Sequence, residues 1–507
     1  MRPDPILRYD LLMRWLALWL LACGATSSPL WAEGSDSPAT NSQTVNSPRA
    51  NLPRASSPNI VLIFADDLGF GDLGCYGQKR WKTPNIDSIA SQGVRFTDFH
   101  SSQPVCSASR ASLLTGCYAN RIGIHGALGP AAKNGIHDDE VLISELLKSK
   151  GYKTCAVGKW HLGHHPQFLP LKHGFDRYLG LPYSNDMWPH GPVVKPGTFP
   201  ELPLIRGDQI IDSDVDALDQ SRLTEQYSDF ALEFLKDSKD SPFFLYFAHT
   251  FPHVPLYAAE SFRGKSGGGI YGDVLEEFDA VVGRILGFLK DNALEENTLI
   301  VFTSDNGPWL TYGDHAGSAG PLREGKGTVY EGGTRVPMLA KWPGQIPAGQ
   351  VQDATAMTID ILPTIANFVG AELPSHPIDG LDIADLLACK PGATCPHEVF
   401  YHYFRQGELQ AIRSGDWKLM LPHDVNCIVP DKLGSDGKPG QSKMRKITEL
   451  ELYHLGQDLG ETTNRAASQP EVLARLLELA QAGRNELGDS LTQTKGAGIR
   501  PSGKTDR

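Results

Sequence analysis

The amino-acid sequence predicts an α/β fold in which a large, mostly parallel sheet is flanked by helices and followed by a small C-terminal α+β subdomain with an antiparallel sheet. Apolar strand-like runs alternate with amphipathic helical stretches, as is typical of parallel sheets. The runs 59–65 and 299–303 are almost entirely apolar, which indicates strands buried on both faces. Alternating patterns at 410–413 and 417–420, joined by a Ser-Gly-Asp turn, predict a hairpin of the subdomain.

The composition is that of a chain that can bury a large core. Its 507 residues are 40% hydrophobic and 21% charged, and the length predicts one large domain with a smaller one. The formal net charge is −12. Because nucleic-acid binding needs a basic domain or a clustered basic face, this charge argues against a nucleic-acid partner. An anionic substrate would have to be met by local cations.

The first residues have the pattern of an export signal. Three arginines precede a short apolar run at 15–22, which is too short to span a bilayer but matches a secretory signal peptide. Cleavage after Ala32 would remove residues 1–32. Leu-Leu-Ala-Cys, ending at Cys23, also resembles a bacterial lipobox, so Cys23 is either a lipid-attachment site or an incidental part of the leader. We therefore predict an exported protein, periplasmic or extracellular, with no integral membrane span.

Composition also divides the rest of the chain. Residues 33–57 are rich in Ser, Pro, Asn and Ala with few large apolar side chains, which predicts a flexible linker. We assign residues 58–390 to the main, catalytic domain and residues 391–491 to the C-terminal subdomain. The tail 492–507 is rich in small and charged residues, and we expect it to be disordered.

The sequence holds eight cysteines, whose pairing depends on the compartment. In an oxidising compartment Cys389 and Cys395 could close a small loop through a disulfide, because only five residues separate them. For Cys75 and Cys155 we favour free buried thiols, since free cysteine is among the most buried residue types.

Polar residues follow four of the predicted strands at the point where each strand ends. They are, in chain order, Asp66 and Asp67, Lys159 and His161, His253, and Asp305 and Asn306. In open α/β sheets, ligands bind beyond the carboxyl ends of the strands. We therefore expect these side chains to converge on one crevice.

The acidic members of this set predict a metal site. Asp66, Asp67 and Asp305 would repel one another unless a cation neutralised them. With Asn306 they offer hard oxygen ligands, which suit Ca²⁺, or alternatively Mg²⁺, rather than Zn²⁺. Each aspartate taken alone could instead be a helix N-cap or a turn residue. Two separate strands that each end in adjacent oxygen ligands favour the metal.

The basic members of the set predict an anion site. They are Arg110, Lys159, His161, His253 and Lys326. Such groups supply the charge and the hydrogen-bond donors that a tetrahedral anion needs. His249 and His253 have the i, i+4 spacing of a zinc-binding helix, but Pro252 lies between them and no Glu follows His249, so that interpretation fails.

Cys106 begins a helix-forming stretch and has more than one interpretation. It could be a buried structural thiol. It could also be a thiolate nucleophile, because a helix N-terminus and the nearby Arg110 would lower its pKa. Neither interpretation accounts for Ala108 and Arg110 at the second and fourth positions after it.

That spacing resembles the modification signature of the type I sulfatases, in which the cysteine of an exported enzyme is oxidised to Cα-formylglycine. Further stretches that resemble this family are 65–73, 158–163, 305–307 and 325–333. The resemblance extends over roughly residues 58–470 and is to the branch of arylsulfatase A and N-acetylgalactosamine-6-sulfatase. It implies an alkaline phosphatase-like fold with a small C-terminal subdomain.

Carried over by position, the resemblance implies a role for each candidate residue. The implied metal ligands are Asp66, Asp67, Asp305, Asn306 and the modified Cys106. Those implied to hold the formylglycine hydroxyls are Arg110 and His161, and those implied to contact the sulfate are Lys159, His253, Lys326 and Ser184. The hydrated aldehyde would attack sulfur, His253 would protonate the leaving alcohol, and His161 would help to remove a proton from the remaining hydroxyl.

The implied function is that of an exported sulfatase acting on aryl sulfates or, as the expected natural substrates, on sulfated carbohydrates. The implied partners are a sulfated small molecule or glycan and, during biosynthesis, a formylglycine-generating maturase. Two alternatives are a phosphoester or phosphonate ester hydrolase of the same superfamily and a glycan-binding pseudosulfatase with unmodified Cys106. The chain has Cys117 where the family usually has Arg, a departure that concerns the modification segment rather than the catalytic set.

Overall fold

The structure, a computed structural model, describes residues 57–505. The predicted signal peptide, Cys23 and nearly all of the predicted linker lie outside the described residues. The strands of the described part are β1 Asn59–Ala65, β2 Val94–Phe96, β3 Phe99–His100, β4 Asn134–Gly135, β5 Lys153–Gly158, β6 Arg177–Gly180, β7 Leu204–Arg206, β8 Gln209–Asp212, β9 Phe243–Ala248, β10 Thr298–Ser304, β11 Met338–Lys341, β12 Gln350–Gln352, β13 Ala356–Met357, β14 Phe400–Phe404, β15 Glu408–Ser414, β16 Trp417–Met420, β17 His423–Ile428, β18 Ser442–Ile447, β19 Glu451–His454 and β20 Gly503–Lys504.

The helices lie between these strands and after them. They are α1 Pro84–Ser91, α2 Cys106–Thr115, α3 Ile143–Ser149, α4 Ala217–Gln220, α5 Leu223–Ser238, α6 Gly269–Asp291, α7 Glu331–Thr334, α8 Ile361–Val369, α9 Ala384–Leu387 and α10 Pro470–Leu487. Among residues 57–505, no helix is both long enough and apolar enough to cross a membrane.

The main sheet has ten strands in the order β12-β2-β11-β10-β1-β9-β5-β6-β7-β8. Its centre is parallel, because β1 pairs in parallel with both β10 and β9, and β5 pairs in parallel with β9 and β6. Antiparallel pairs lie toward both edges, as between β10 and β11 and between β6 and β7. The predicted α/β class, with a mostly parallel sheet flanked by helices, is confirmed.

The apolar run of β1 is explained by cores on both faces of the sheet. All seven residues of β1 are buried. Ile60 and Leu62 pack into one hydrophobic cluster, whereas Val61 and Ile63 pack into another. Because successive side chains of a strand point to opposite faces, a strand covered on both sides has no position for a polar residue.

The C-terminal subdomain is built on a second sheet, with the antiparallel order β14-β15-β16-β19. The predicted hairpin is confirmed as β15 and β16, with Ser414 opposite Trp417. Gly415 in the turn has φ 57°, a left-handed conformation that glycine adopts without a steric penalty. Helix α10 packs against β15.

A buried ion cluster joins the subdomain to the main domain. Lys418 of β16 lies with its Nζ atom 2.9 Å from a carboxylate oxygen of Glu331 and 2.9 Å from one of Glu461, and all three side chains are fully buried. The backbone N–H of Glu331, at the start of α7, also donates to Glu461 Oε2 at 2.7 Å. One ammonium group therefore holds together carboxylates from two parts of the fold.

The C-terminal tail is ordered up to residue 505, so the expectation of disorder for residues 492–507 is wrong for the described part. Strand β20 pairs with β4 in antiparallel fashion. Arg500 donates two hydrogen bonds to Glu140, at 2.7 and 2.8 Å, and one to Cys117 Sγ at 3.3 Å. The small residues of the tail are also closely packed. At Gly503, for example, a Cβ atom would lie only 2.6 Å from the ring of Phe168.

We expect Arg500→Ala to lower the free energy of unfolding by about 1–3 kcal/mol, because it leaves the carboxylate of Glu140 buried without its cation. The Glu140 side chain is only 2% exposed, whereas that of Arg500 is 21% exposed. Urea unfolding would measure the change. Lys495→Ala, at an exposed tail position with no ion pair among the described residues, is the control. Equal stability of both variants would contradict a structural role for the tail.

The disulfide that Cys389 and Cys395 could form is absent, because both are free thiols in the structure. The Cys395 thiol instead donates to His397 O at 3.6 Å. Cys75 and Cys155 are also free, as expected, although only Cys155 is fully buried and Cys75 is half-buried.

Candidate active site

The polar strand ends meet at one edge of the main sheet. β10, β1, β9 and β5 are consecutive parallel neighbours, so their carboxyl ends lie side by side. Backbone contacts continue past the strands, with Asp305 N donating to Ala65 O at 3.2 Å and Lys159 N donating to Ala248 O at 2.8 Å. The predicted crevice exists, and its polar lining is Asp66, Asp67, Cys106, Arg110, Lys159, His161, Ser184, His253, Asp305, Asn306 and Lys326.

Asp67 and Asn306 are linked directly at the ends of β1 and β10. The Asn306 side-chain amide donates to Asp67 Oδ1 at 2.7 Å, and the Asp67 N–H donates to Asp305 Oδ1 at 3.0 Å. Asp67 has φ 61°, a region that residues other than glycine rarely occupy and that is found most often at functional sites. The Asn306 Oδ1 atom is buried and accepts no hydrogen bond from any described residue.

Each carboxylate of the crevice is paired with a cation. The pairs are Arg110 with Asp305, Lys159 with Asp66, and Lys326 with Asp67, at nitrogen–oxygen distances of 2.9, 2.5 and 2.8 Å. Their side chains are at most 9% exposed. Buried charges of one sign need such partners, because removal from water is otherwise too costly. The crevice is therefore a dense but balanced set of buried charges.

The carboxylates differ in how easily they ionise. Burial raises the pKa of Asp67 to about 7, where Lys326 opposes the rise and the charges of Asp66 and Asp305 add to it. At Asp66, burial also acts to raise the pKa, but Lys159 and other neighbouring cations outweigh burial and hold the pKa below its ordinary value. An added cation would stabilise the ionised form of Asp67.

Cys106 is the first residue of α2 and faces the carboxylates. Its Sγ atom lies 3.7 Å from Asp66 Oδ1, and the residue is 2% exposed. All ten residues of α2 are buried. Burial raises the pKa of Cys106 to about 12, so the surroundings oppose the thiolate that we considered as one interpretation.

His161 and Ser184 complete one side of the crevice. Ser184 Oγ accepts a hydrogen bond from Lys159 Nζ at 3.1 Å, which places Ser184 among the other predicted residues. His161 is fully buried, has φ 61°, and neither of its ring nitrogens contacts a hydrogen-bond partner among the described residues. Burial, followed by the charges of Lys159 and other cations, holds the pKa of His161 well below its usual range.

His253 and Lys326 are joined by a hydrogen bond. The His253 Nδ1 atom bonds to the Val254 carbonyl, so Nδ1 carries the proton and Nε2 is the acceptor. Lys326 Nζ donates to that Nε2 at 2.9 Å. His249, the other histidine of the i, i+4 pair, does not join them. Its ring stacks on Phe278 with ring centroids 4.3 Å apart.

Trp309 belongs to this site, although the sequence reasoning did not select it. Lys326 Nζ lies 4.3 Å from the centre of its ring, and the ring of His253 lies 5.6 Å from it. The available signal was its position three residues after Asn306.

The donor atoms that could hold a metal ion lie close together. Ligand atoms of Asp66, Asp67, Cys106 and His253 are all within 4.8 Å of one another. Asp305 and Asn306 adjoin them through Asp67. With its cations and donors, the crevice can bind a tetrahedral anion beside a hard cation, and move protons through histidine.

Comparison with known proteins gives consistent matches over this region. A family model described as "Sulfatase" matches residues 58–371, and one described as "N-sulphoglucosamine sulphohydrolase, C-terminal" matches residues 325–421. Arylsulfatase A from Homo sapiens is 40% identical over 450 residues, covering 83% of this chain and 87% of that protein. N-acetylgalactosamine-6-sulfatase from Sus scrofa is 40% identical over 455 residues, covering 83% of this chain and 84% of that protein.

A solved structure matches over the same extent. The crystal structure of PsFucS1 sulfatase from Pseudoalteromonas sp. has a TM-score of 0.76 with this chain at 30% sequence identity. The match covers 85% of this chain and 90% of that one.

Proposed function

The chain belongs to the sulfatase family and is a sulfuric ester hydrolase, and from that premise we propose that it hydrolyses sulfated carbohydrates with a formylglycine derived from Cys106 and a bound divalent metal ion. The observation that carries this proposal is the position of Cys106: its sulfur lies against Asp66 inside a buried crevice of paired carboxylates and cations. Neither a structural thiol nor a simple thiolate requires that arrangement.

Unsatisfied polar atoms support the formylglycine. Formylglycine in its hydrated form supplies a hydroxyl nucleophile and a second hydroxyl that can be deprotonated. His161 is buried in the crevice with both ring nitrogens unpartnered among the described residues, which is costly unless a further group bonds to them. The Arg110 guanidinium donates to Asp305 and to the Lys159 carbonyl, and these bonds fix it in the crevice that Cys106 faces.

The oxygen atoms of Asp66, Asp67, Asp305 and Asn306 fit a hard divalent cation. We propose Ca²⁺, with Mg²⁺ as the alternative. The free Oδ1 of Asn306 is an oxygen donor without a partner in the described structure, and the raised pKa of Asp67 indicates a carboxylate that would gain from a cation. When bound, the metal would offset the negative charge of the sulfate oxygens.

The side chains of the crevice have separate tasks in this scheme. Lys159, held by Ser184, and Lys326 would grip the sulfate oxygens through charge-assisted hydrogen bonds. Lys326 would give a proton to Nε2 of His253 across 2.9 Å, and His253 would pass that proton to the leaving alcohol. The low pKa of His161 keeps its ring neutral, so an unprotonated ring nitrogen is free to accept the proton of the remaining hydroxyl.

Sulfated carbohydrates are the substrate class that we propose. One relative is named for a sulfated amino sugar, N-acetylgalactosamine-6-sulfatase. Export to the periplasm or beyond, with attachment through Cys23 as an alternative, remains a proposal that depends on the N-terminal pattern, as does modification by a maturase during biosynthesis.

A substrate panel tests the proposed function. We expect turnover of sulfated monosaccharides and of 4-nitrophenyl sulfate, with much slower turnover of 4-nitrophenyl phosphate, because the crevice offers one metal site and no second acidic set beside it among the described residues. Faster turnover of the phosphate would favour the phosphoester hydrolase instead. Intact-peptide mass spectrometry would show whether Cys106 carries the aldehyde, and an unmodified, inactive protein would support a glycan-binding role.

Metal binding should be visible without any activity assay. We expect Ca²⁺ at about 100 times its Kd to raise the free energy of unfolding of the metal-free protein by about 2.7 kcal/mol, since it binds only the folded crevice. Asp305→Asn should abolish this increase. Asp279→Asn, at a buried aspartate that bonds to Asn85 outside the crevice, should keep it. A Ca²⁺ response that survives Asp305→Asn would place the metal elsewhere.

A further inference from the structure

Trp309 lies where a substrate's leaving group would pass. Its ring is partly exposed, packs on the Lys326 ammonium at 4.3 Å, and meets the ring of His253 at 5.6 Å. These two side chains would serve the leaving alcohol in the proposed function. Whatever carbon skeleton bears that alcohol therefore has to extend past Trp309.

One polar side chain that contacts this indole has no hydrogen-bond partner among the described residues. The ring of Tyr312 packs edge-on against Trp309 at 4.9 Å, and its hydroxyl bonds to no residue of the described chain. The charges that act on this hydroxyl are those of Asp186, Lys326 and Asp67, which places it at the margin of the active site. Burial and Asp186 raise the pKa of Tyr312 to about 12, so the hydroxyl stays protonated and can donate.

Asp186 brings an acceptor to the same margin. It lies two residues after Ser184, whose Oγ is bonded to Lys159. One of its carboxylate oxygens, Oδ1, is buried and receives no hydrogen bond from residues 57–505. Buried polar atoms are almost always satisfied, by protein, water or ligand.

An aromatic face, a donor in contact with it and an acceptor near that donor match the chemistry of a sugar. A pyranose ring presents an apolar C–H face that packs on an indole, and hydroxyls at its edge that bond to polar groups. A flat aryl group could use the indole but would leave the carboxylate and the phenol unbonded.

We propose that Trp309, Tyr312 and Asp186 form a subsite for the pyranose ring that carries the sulfate ester. The subsite rests on the proposed sulfatase function and names the part of the substrate that this function leaves open. Trp309 would pack on the ring, while Tyr312 and Asp186 would bond to its free hydroxyls.

Trp309→Ala tests the packing part. For the sulfated monosaccharide that the wild type hydrolyses fastest, we expect kcat/KM to fall by about tenfold or more, because the ring loses its apolar partner. The Ki of inorganic sulfate, which has no ring, should change by less than about twofold. An equal loss in Ki would mean that Trp309 only positions Lys326 and would overturn the subsite, as would an unchanged kcat/KM.

Asp186→Asn tests the polar part. We expect it to lower kcat/KM for the sugar sulfate about fivefold more than for 4-nitrophenyl sulfate, which lacks the hydroxyls. Equal effects on both substrates would overturn the hydroxyl contact. Trp417→Ala is the matched control for Trp309→Ala and should leave kcat/KM for the sugar sulfate unchanged. Trp417 is a partly buried indole that packs on His454 in the C-terminal sheet, away from the crevice.

Different results would contradict the proposed sulfatase function and the proposed sugar subsite. A wild-type protein that hydrolyses no sulfate ester, sugar or aryl, would contradict the proposed function itself. If the wild type hydrolyses sugar sulfates and Trp309→Ala has the same kcat/KM for them, the subsite alone would be contradicted.

Discussion

Replacement of Cys106 by alanine is expected to lower kcat for sulfate ester hydrolysis by about 10⁴-fold or more, the scale of loss seen when an enzyme loses its nucleophile. Alanine removes the side chain that lies 3.7 Å from Asp66 Oδ1 at the start of α2, and it cannot be oxidised to an aldehyde. Neither Lys159 nor Lys326 can replace it, because both are ammonium groups paired with aspartates. Turnover at high enzyme concentration, with sugar sulfate in excess, measures the residual rate.

Cys155→Ala is the matched control for this variant. Cys155 is a second fully buried thiol, on β5, and its side chain packs in the core rather than in the crevice. The control should keep its turnover, with stability lowered by the small cavity. If Cys106→Ala turned over sulfate esters at a rate near that of the wild type, the nucleophile would have to be another group, and the formylglycine scheme would be wrong.

Lys418→Met is expected to lower the free energy of unfolding by about 3–5 kcal/mol, the cost of breaking a fully buried ion pair by removing one partner. The methionine fills similar space but leaves the carboxylates of Glu331 and Glu461 facing each other without the ammonium that now lies 2.9 Å from each. Burial already raises the pKa of Glu461 to about 7, with Lys418 opposing the rise. Urea unfolding at neutral pH gives the magnitude.

A second variant separates charge from packing at this position. Lys418→Met combined with Glu461→Gln removes the cation and one of its two carboxylates, so we expect it to recover part of the loss. Lys446→Met, at an exposed position of β18, should change stability by less than about 0.5 kcal/mol. A loss below about 1 kcal/mol for Lys418→Met would mean that other cations, such as Arg335 and Arg413, already satisfy the cluster.

The parts of this protein that could be predicted are those that follow from rules of chain geometry. A strand covered on both faces is apolar almost throughout, so β1 and β10 could be predicted from runs of apolar residues in the sequence. Parallel strands end at one edge of a sheet, so Asp67 and Asp305 could be placed together although 238 residues separate them. The site was therefore predictable to the extent that its residues directly follow strands.

What could not be predicted are contacts between segments with no such rule. Arg500 pairs with Glu140 across 360 residues, and nothing in a tail of small and charged residues indicates the partner. Trp309 could be seen to follow Asn306, but not to lie beneath Lys326, because that contact depends on how two loops fold back on each other. The free state of Cys389 and Cys395 likewise depends on orientation rather than on spacing.

The complete burial of α2 sets an order of events in the life of the chain. In the folded protein Cys106 is 2% exposed, so an enzyme that oxidises it has to act before the helix is enclosed. Arg500, which bonds to Cys117 two residues beyond α2, is synthesised 383 residues later. If Cys106 is modified as proposed, modification and folding would compete in time. The fraction of active molecules would then depend on how long α2 stays uncovered after it leaves the ribosome, and not only on how well the modifying enzyme recognises its sequence.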